Sequence, residues 1–169
     1  MKAIVAVDKK WGIGKNNGLL FSLPEDMKFF RSTTLGSTVV MGKNTLKSFP
    51  GGKPLAGRTN IVIDPDGEEH PGCIVAGSLD GLAEILEKAQ GDIFVIGGAM
   101  TYHTLLPYCE AALVTKVDAD GDAEVFFDNL DRTDGWILAD EGTEIVTNGY
   151  KIKFTTYKNK AVKPLYGEK

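Results

Sequence analysis

Apolar residues along this chain fall in short runs separated by glycine-rich or charged stretches, and the runs are of two kinds. Residues 2–7, 38–41, 59–63, 73–76, 93–96 and 112–117 are compact and rich in Val and Ile. Such runs suit strands buried on both faces of a parallel sheet. Between them the spacing turns helical: Ser78 reads as an N-cap before Leu82, Ile85, Leu86 and Ala89, and residues 100–106 form a short helical stretch stopped by Pro107. The tail differs again. In Tyr150-Lys151-Ile152-Lys153-Phe154 apolar and polar residues alternate strictly, and residues 136–139 are also strand-like. The spans 136–139 and 150–157 are therefore expected to form a half-exposed antiparallel hairpin on the sheet edge. The pattern as a whole predicts an α/β fold, a single domain over residues 1–169 with a mostly parallel central sheet flanked by helices and a C-terminal antiparallel edge hairpin.

The stretch Ser22-Leu23-Pro24-Glu25-Asp26-Met27 breaks this order. Pro24 suits the first turn of a helix, and Ser22 with Glu25 reads as a capping box, so a helix should begin near Pro24. At about 100° per residue, Leu23, Asp26, Met27 and Phe30 share one stripe, while Glu25, Lys28 and Arg31 lie away from its centre. Asp26 thus occupies a position where the pattern asks for an apolar residue. A carboxylate against an apolar wall is costly unless hydrogen-bonded, and desolvation raises its pKa, which makes Asp26 a candidate acid or ligand anchor. The competing reading is an inert first-turn residue that complements the helix dipole.

Three glycine-bearing loops follow strands. Residues 8–21 include Gly12-Ile13-Gly14-Lys15-Asn16-Asn17-Gly18, whose spacing is one residue too long for a dinucleotide fingerprint and which no helical pattern follows directly, so a mobile flap is expected. Gly42-Lys43-Asn44-Thr45 opens a short helix that ends near Ser48. Its backbone N–H groups and the Lys43 charge suit a phosphate, although an ordinary tight turn reads the same way. Asn44 stands where a Walker A loop needs Ser or Thr. Residues 49–57 are an irregular loop that places Leu55 and Arg58 at the rim of a site. Gly97-Gly98 lets a phosphate or a ring approach the backbone. Two glycine-led helix starts behind buried strands is how α/β sheets bind nucleotides beyond their strand ends.

Composition narrows the partners. A net charge of -4 argues against nucleic acid or a membrane surface as the main partner. No apolar run is long enough for a signal peptide or a membrane span, so a cytoplasmic location is expected. Cys73 and Cys109 lack metal-ligand spacing, and His70 and His103 are too scattered for a cluster; no metal is expected.

Taken in chain order, Ala6 in the first strand, Leu23-Pro24-Glu25-Asp26, Met41-Gly42-Lys43-Asn44-Thr45, Leu55-Ala56-Gly57-Arg58, Ile96-Gly97-Gly98 with Tyr102, and Thr115 resemble the bacterial-type dihydrofolate reductases over essentially the whole chain. The resemblance implies NADPH-dependent reduction of dihydrofolate to tetrahydrofolate, by hydride transfer to the pteridine ring. Asp26 would be the one ionisable group in the pterin pocket, with Thr115 and Phe21 beside it, and would promote protonation of the reacting imine nitrogen. Backbone groups of Ile4, Val5, Ala6 and Ile96 would line the pterin. Met27, Phe30, Phe49 and Leu55 would wall the benzoyl ring, and Arg58 would pair with the glutamate α-carboxylate, which its planar fork suits. The cofactor would lie against Ala6, Ile13, Gly14, Gly42, Lys43, Asn44, Thr45, Asp64, Gly97, Gly98, Ala99, Met100 and Tyr102. The implied partners are dihydrofolate and antifolate inhibitors, bound by a monomer.

Three positions depart from the family pattern. Leu20-Phe21 stands where the family usually has Pro-Trp, Asp64 where relatives often place a hydroxyl or base near the cofactor 2'-phosphate, and Met100 where Arg is frequent. The expectation is that NADPH is preferred over NADH by a reduced margin if Asp64 meets the cofactor, and by an unaffected one if Asp64 turns outward. Two rivals remain at this stage. One is a pyrimidine reductase of riboflavin synthesis, which would not be expected to carry the Asp26 and Arg58 pair. The other is a non-catalytic nucleotide- or flavin-binding protein.

Overall fold

In the computed structural model residues 1–165 are described, so the last part of the expected 1–169 span lies outside the described residues. The chain runs β1 (Lys2–Val7), β2 (Gly12–Gly14), α1 (Pro24–Thr34), β3 (Thr38–Gly42), α2 (Lys43–Ser48), β4 (Thr59–Ile63), β5 (Ile74–Ala76), α3 (Leu79–Glu87), β6 (Ile93–Gly97), α4 (Ala99–Leu105), β7 (Ala111–Val117), β8 (Val125–Phe126), β9 (Trp136–Glu141), β10 (Ile145–Thr147) and β11 (Tyr150–Asn159). The main sheet has the order β10-β11-β7-β1-β6-β3-β4-β5, with β9 also paired to β11. Strands β1 and β3 to β7 pair in parallel, and β11 joins β7 antiparallel. The α/β class and the mostly parallel sheet are those the apolar runs predict.

The runs form strands because both of their faces are covered. On one face Ala3, Val5, Val7, Val40, Ile61 and Val95 pack with Leu82 and Leu86 of α3 and Leu105 of α4. On the other, Ile4, Val39, Met41, Val62 and Phe94 pack against Phe29 and Phe30 of α1, with Phe49 and Leu55 from the loop after α2. Ser78 caps α3 as read, its hydroxyl oxygen accepting the Gly81 N–H at 3.0 Å.

The tail bears out one expectation and corrects another. Residues 136–139 and 150–157 do lie on paired strands, β9 and β11. They form the expected antiparallel pairing at the sheet edge, and the tight hairpin itself joins β11 to an additional short strand, β10. Asn148 and Gly149 turn the chain with φ of 49° and 80°, the conformation a two-residue hairpin turn requires. Strand β10 is too short to show a period of its own.

The expectation corrected is the capping box at α1. The N-cap is Leu23, with no side-chain cap, and the Ser22/Glu25 pairing is not formed. Instead the Glu25 N–H donates to Thr147 Oγ1 at 3.2 Å, and Asn148 Nδ2 donates to the Ser22 carbonyl at 3.0 Å. The distant β10–β11 turn thus satisfies groups that the local sequence was expected to satisfy.

Candidate functional site

The site lies at the C-terminal ends of β1, β3, β6 and β7, where open α/β sheets bind ligands. In β1, Ala6 is in register with Thr115 of β7. The first turn of α1 brings Asp26 to the same place, and Thr115 Oγ1 donates to Asp26 Oδ1 at 2.7 Å. Asp26 is half-buried, in a cleft also lined by Ala6, Ile13, Leu19, Leu20, Phe21, Leu23 and Met27. Burial pushes its carboxyl above the usual carboxylate range, and the Thr115 hydrogen bond only partly opposes this. An acid held this way can keep or pass a proton closer to neutrality than a surface aspartate.

The expected wall of the pocket assembles as one surface. Phe30, Phe49, Leu55 and Ile96 pack on the cluster that contains Ile4, while Met27 is 52% exposed at the rim of the cleft. Val5 packs its side chain on the opposite face, so only its backbone can take part. Arg58 is fixed by two bonds, Nε donating to the Ala56 carbonyl at 3.0 Å and Nη1 to Thr34 Oγ1 at 3.1 Å. These set the plane of a guanidinium that has five N–H donors in all. Desolvation, followed by the neighbouring Arg31, lowers its pKa. Asn60, which the sequence reading passed over, holds this loop. It accepts the Leu55 N–H at 3.0 Å and donates to the Leu55 and Arg58 carbonyls at 2.9 and 3.0 Å. A buried amide straight after Leu55-Ala56-Gly57-Arg58 and Thr59 is the signal that could have revealed it.

The cofactor residues gather on the other side of the sheet ends. Gly97 has φ of 132°, and the Gly97-Gly98 peptide is cis. A Cβ at Gly97 would meet Thr45 Oγ1 at 3.3 Å, and one at Gly42 would meet Thr101 Oγ1 at 2.9 Å. The glycines therefore keep the two helix starts in close approach with their backbone open, which suits a dinucleotide lying across them. Lys43 lies beside Asp64 and Asp66, and the flap reaches α2, with Asn17 Nδ2 donating to the Asn44 carbonyl at 3.5 Å. Ala99 begins α4, and Met100 is 77% exposed. Tyr102 is buried instead of lining an open surface. Its hydroxyl donates to the Ile4 carbonyl at 2.6 Å, so it acts on the site by fixing β1. The residues present thus fit NADPH.

The flap has more structure than expected. Strand β2 pairs with β8, Gly12 opposite Phe126 and Gly14 opposite Val125. Asp8, buried at the end of β1, accepts the N–H groups of Lys10, Gly12 and Gly121 at 2.8, 2.7 and 3.0 Å, tying the flap to the loop before β8. A Cβ at Gly121 would meet Leu20 at 2.8 Å, and the Phe21 ring lies 4.8 Å from that of Tyr150. Leu20-Phe21 is thereby packed between two loops at the cleft mouth.

A larger hollow of about 610 Å³, lined by Thr38, Thr59, Ile61, Ile74 and Glu84 among others, lies at the N-terminal ends of β3, β4 and β5 and includes no predicted site residue. Among the described residues no helix is long and apolar enough to cross a membrane, and no group of three or more His, Cys, Asp or Glu could hold a metal ion.

Comparison with known proteins agrees with this geometry. A family model described as dihydrofolate reductase matches residues 1–159. The chain is 35% identical over 160 residues to the dihydrofolate reductase of Bacillus subtilis (strain 168), covering 93% of each. It is 34% identical over 157 residues to that of Neisseria meningitidis serogroup B, covering 91% of this chain and 94% of that one. Among solved structures, a dihydrofolate reductase from Enterococcus faecalis complexed with NADP(H) and RAB-propyl superposes with a TM-score of 0.81 at 31% identity, over 94% of this chain and 95% of that chain. An acid beside a hydroxyl at the end of β1, two glycine-led helix starts across the sheet and whole-length similarity meet in one conclusion: the chain belongs to the dihydrofolate reductase family.

Proposed function

We propose that this member of an NADPH-dependent oxidoreductase family reduces dihydrofolate to tetrahydrofolate, with Asp26 anchoring the pterin and assisting its protonation. The observation that carries the reading is Asp26 in the cleft, raised in pKa by burial and hydrogen-bonded by Thr115. NADPH, when bound, supplies the hydride. Asp26 is placed to accept hydrogen bonds from the amide nitrogen and 2-amino group of a pterin lying over Ala6, and to raise the proton affinity of the bound ring. Ile4 and Ile96 border the same surface, Phe30, Phe49 and Leu55 exclude water from the benzoyl ring, and Arg58 takes the glutamate carboxylate through its remaining N–H donors. Lys43, Thr45, Gly97 and Gly98 hold the cofactor. The unit at work is a single domain and a monomer, since every residue named here belongs to one sheet and the helices and loops attached to it.

The test is NADPH oxidation by the purified protein with and without dihydrofolate. Oxidation that depends on dihydrofolate is the expected result. A visible flavin spectrum in the purified protein, or turnover of a riboflavin-pathway pyrimidine but not of dihydrofolate, would overturn the reading.

A further inference from the structure

Sequence alone leaves two placements for Asp64, facing the cofactor or turned out into its own loop. The structure turns it into its own loop, but buried rather than outward. Gly42 of β3 is in register with Ile63 of β4, so Asp64 stands next to the start of α2 and to Lys43. Its side chain has no solvent exposure. The Asp66 N–H donates to Oδ1 at 3.0 Å, His70 Nε2 lies 2.9 Å from Oδ2, and Lys43 Nζ is 3.7 Å from Oδ1. Lys43 is also 3.2 Å from the exposed Asp66 carboxylate, and Glu68 adds a further negative charge nearby.

We propose that His70 is a positioning residue for cofactor choice: by occupying Asp64 Oδ2 it keeps this acid from selecting a free ribose 2'-hydroxyl, and so leaves Lys43 available to a 2'-phosphate. The proposal rests on the dihydrofolate reductase reading given above. In doubly wound dinucleotide-binding sheets an acid near the ribose accepts its 2'-hydroxyl, and the same chemistry at Asp64 would repel a phosphate. The hydrogen bond from His70, then the Asp66 N–H and Lys43, hold the Asp64 carboxyl below the usual carboxylate range. It is therefore an ion at neutral pH and can only accept, which makes His70 Nε2 the donor. Without the imidazole, Oδ2 is free and Lys43 is the nearest cation left to Asp64. The acid would then bind a hydroxyl, compete for Lys43 and disfavour phosphate. His70 acts through Asp64 rather than by touching the cofactor.

The experiment measures dissociation constants of the full-length protein for NADPH and NADH, and for adenosine 2',5'-bisphosphate and 5'-AMP as probes that carry no reactive ring. In His70→Phe the preference for the 2'-phosphorylated member of each pair should fall about tenfold, the scale of one hydrogen bond to a charged group. His70→Gln, whose amide can donate, should recover part of it. In an Asp64→Ser background, where no acid remains to be restrained, His70→Phe should leave the ratio unchanged. An equal loss of both members of each pair in His70→Phe and His70→Gln, or an unreduced effect in the Asp64→Ser background, would overturn the proposal. Wild-type protein that binds none of the four ligands would overturn both this proposal and the functional reading beneath it.

Discussion

Asp26 and Asp64 are both withdrawn from water at the C-terminal side of the sheet, and they are pushed in opposite directions. Asp26 receives one side-chain hydrogen bond, from Thr115, and burial carries its pKa upward. Asp64 is more deeply buried, yet it is held down by His70, a turn N–H and Lys43. The proton affinity of each carboxylate follows the balance between desolvation and the donors and charges aimed at it. The acid with one side-chain donor lines the cleft, and the one with more donors lies beside Lys43.

The largest test of that contrast is Asp26→Asn. It removes the titratable group and nearly keeps the shape, so kcat for dihydrofolate reduction should fall by about 10²- to 10⁴-fold, the usual contribution of a positioned acid. Thermal unfolding should show that the variant still folds. Turnover at the wild-type rate would place the proton chemistry elsewhere and end the contrast.

Next in size is Arg58→Lys, which asks whether substrate lies across the pocket as the role of Asp26 requires. The orienting bonds to Ala56 and Thr34 prepare a planar fork that a lysine lacks. KM for dihydrofolate should rise about tenfold, with little change for a substrate truncated before the glutamate. Equal effects on the two substrates would remove Arg58 from the glutamate site.

Much of this arrangement was legible in the sequence, and the reasons are local. The parallel strands were readable because burial on both faces leaves unbroken apolar runs, as in Ile93–Gly97. Asp26 was readable because it interrupts a helical stripe. What could not be read depends on contacts between distant segments. The cap of α1 comes from Thr147, the flap anchor Asp8 takes an N–H from Gly121, and His70 meets Asp64 only because the turn 64–67 folds back. Tyr102 reads as a cofactor residue from its place in the motif, yet it turns inward to Ile4. Strand β2 was hidden for the same reason, since its partner β8 lies more than a hundred residues further along the chain.

A smaller effect follows from Thr115→Val, which is nearly isosteric and removes the hydroxyl donor at 2.7 Å. Asp26 would then lose its side-chain donor. Folding stability should drop by about 1 to 3 kcal/mol, read from urea denaturation at neutral pH. The loss should shrink in an Asp26→Asn background, where no charge is left to desolvate. If the two substitutions simply add, Thr115 is a packing residue.

The finest discrimination comes from comparing the thermal midpoints of Asp26→Asn and Asp64→Asn with wild type as pH changes. For Asp26 the folded pKa lies above the unfolded one, so the folded state holds a proton that the unfolded state has already released, and stability falls as pH rises from the usual carboxylate value through the raised one. Asp26→Asn escapes that loss. Its midpoint should match wild type in acid and exceed it at neutral pH. For Asp64 the folded pKa lies below the unfolded one, so its contribution is complete above the usual carboxylate value and disappears as pH falls through the depressed one. Asp64→Asn should therefore melt below wild type at neutral pH, with the gap closing in acid, and the closing should occur at lower pH than the change seen for Asp26. Differences of the same sign at neutral pH would mean that burial, rather than the count of donors, governs both acids.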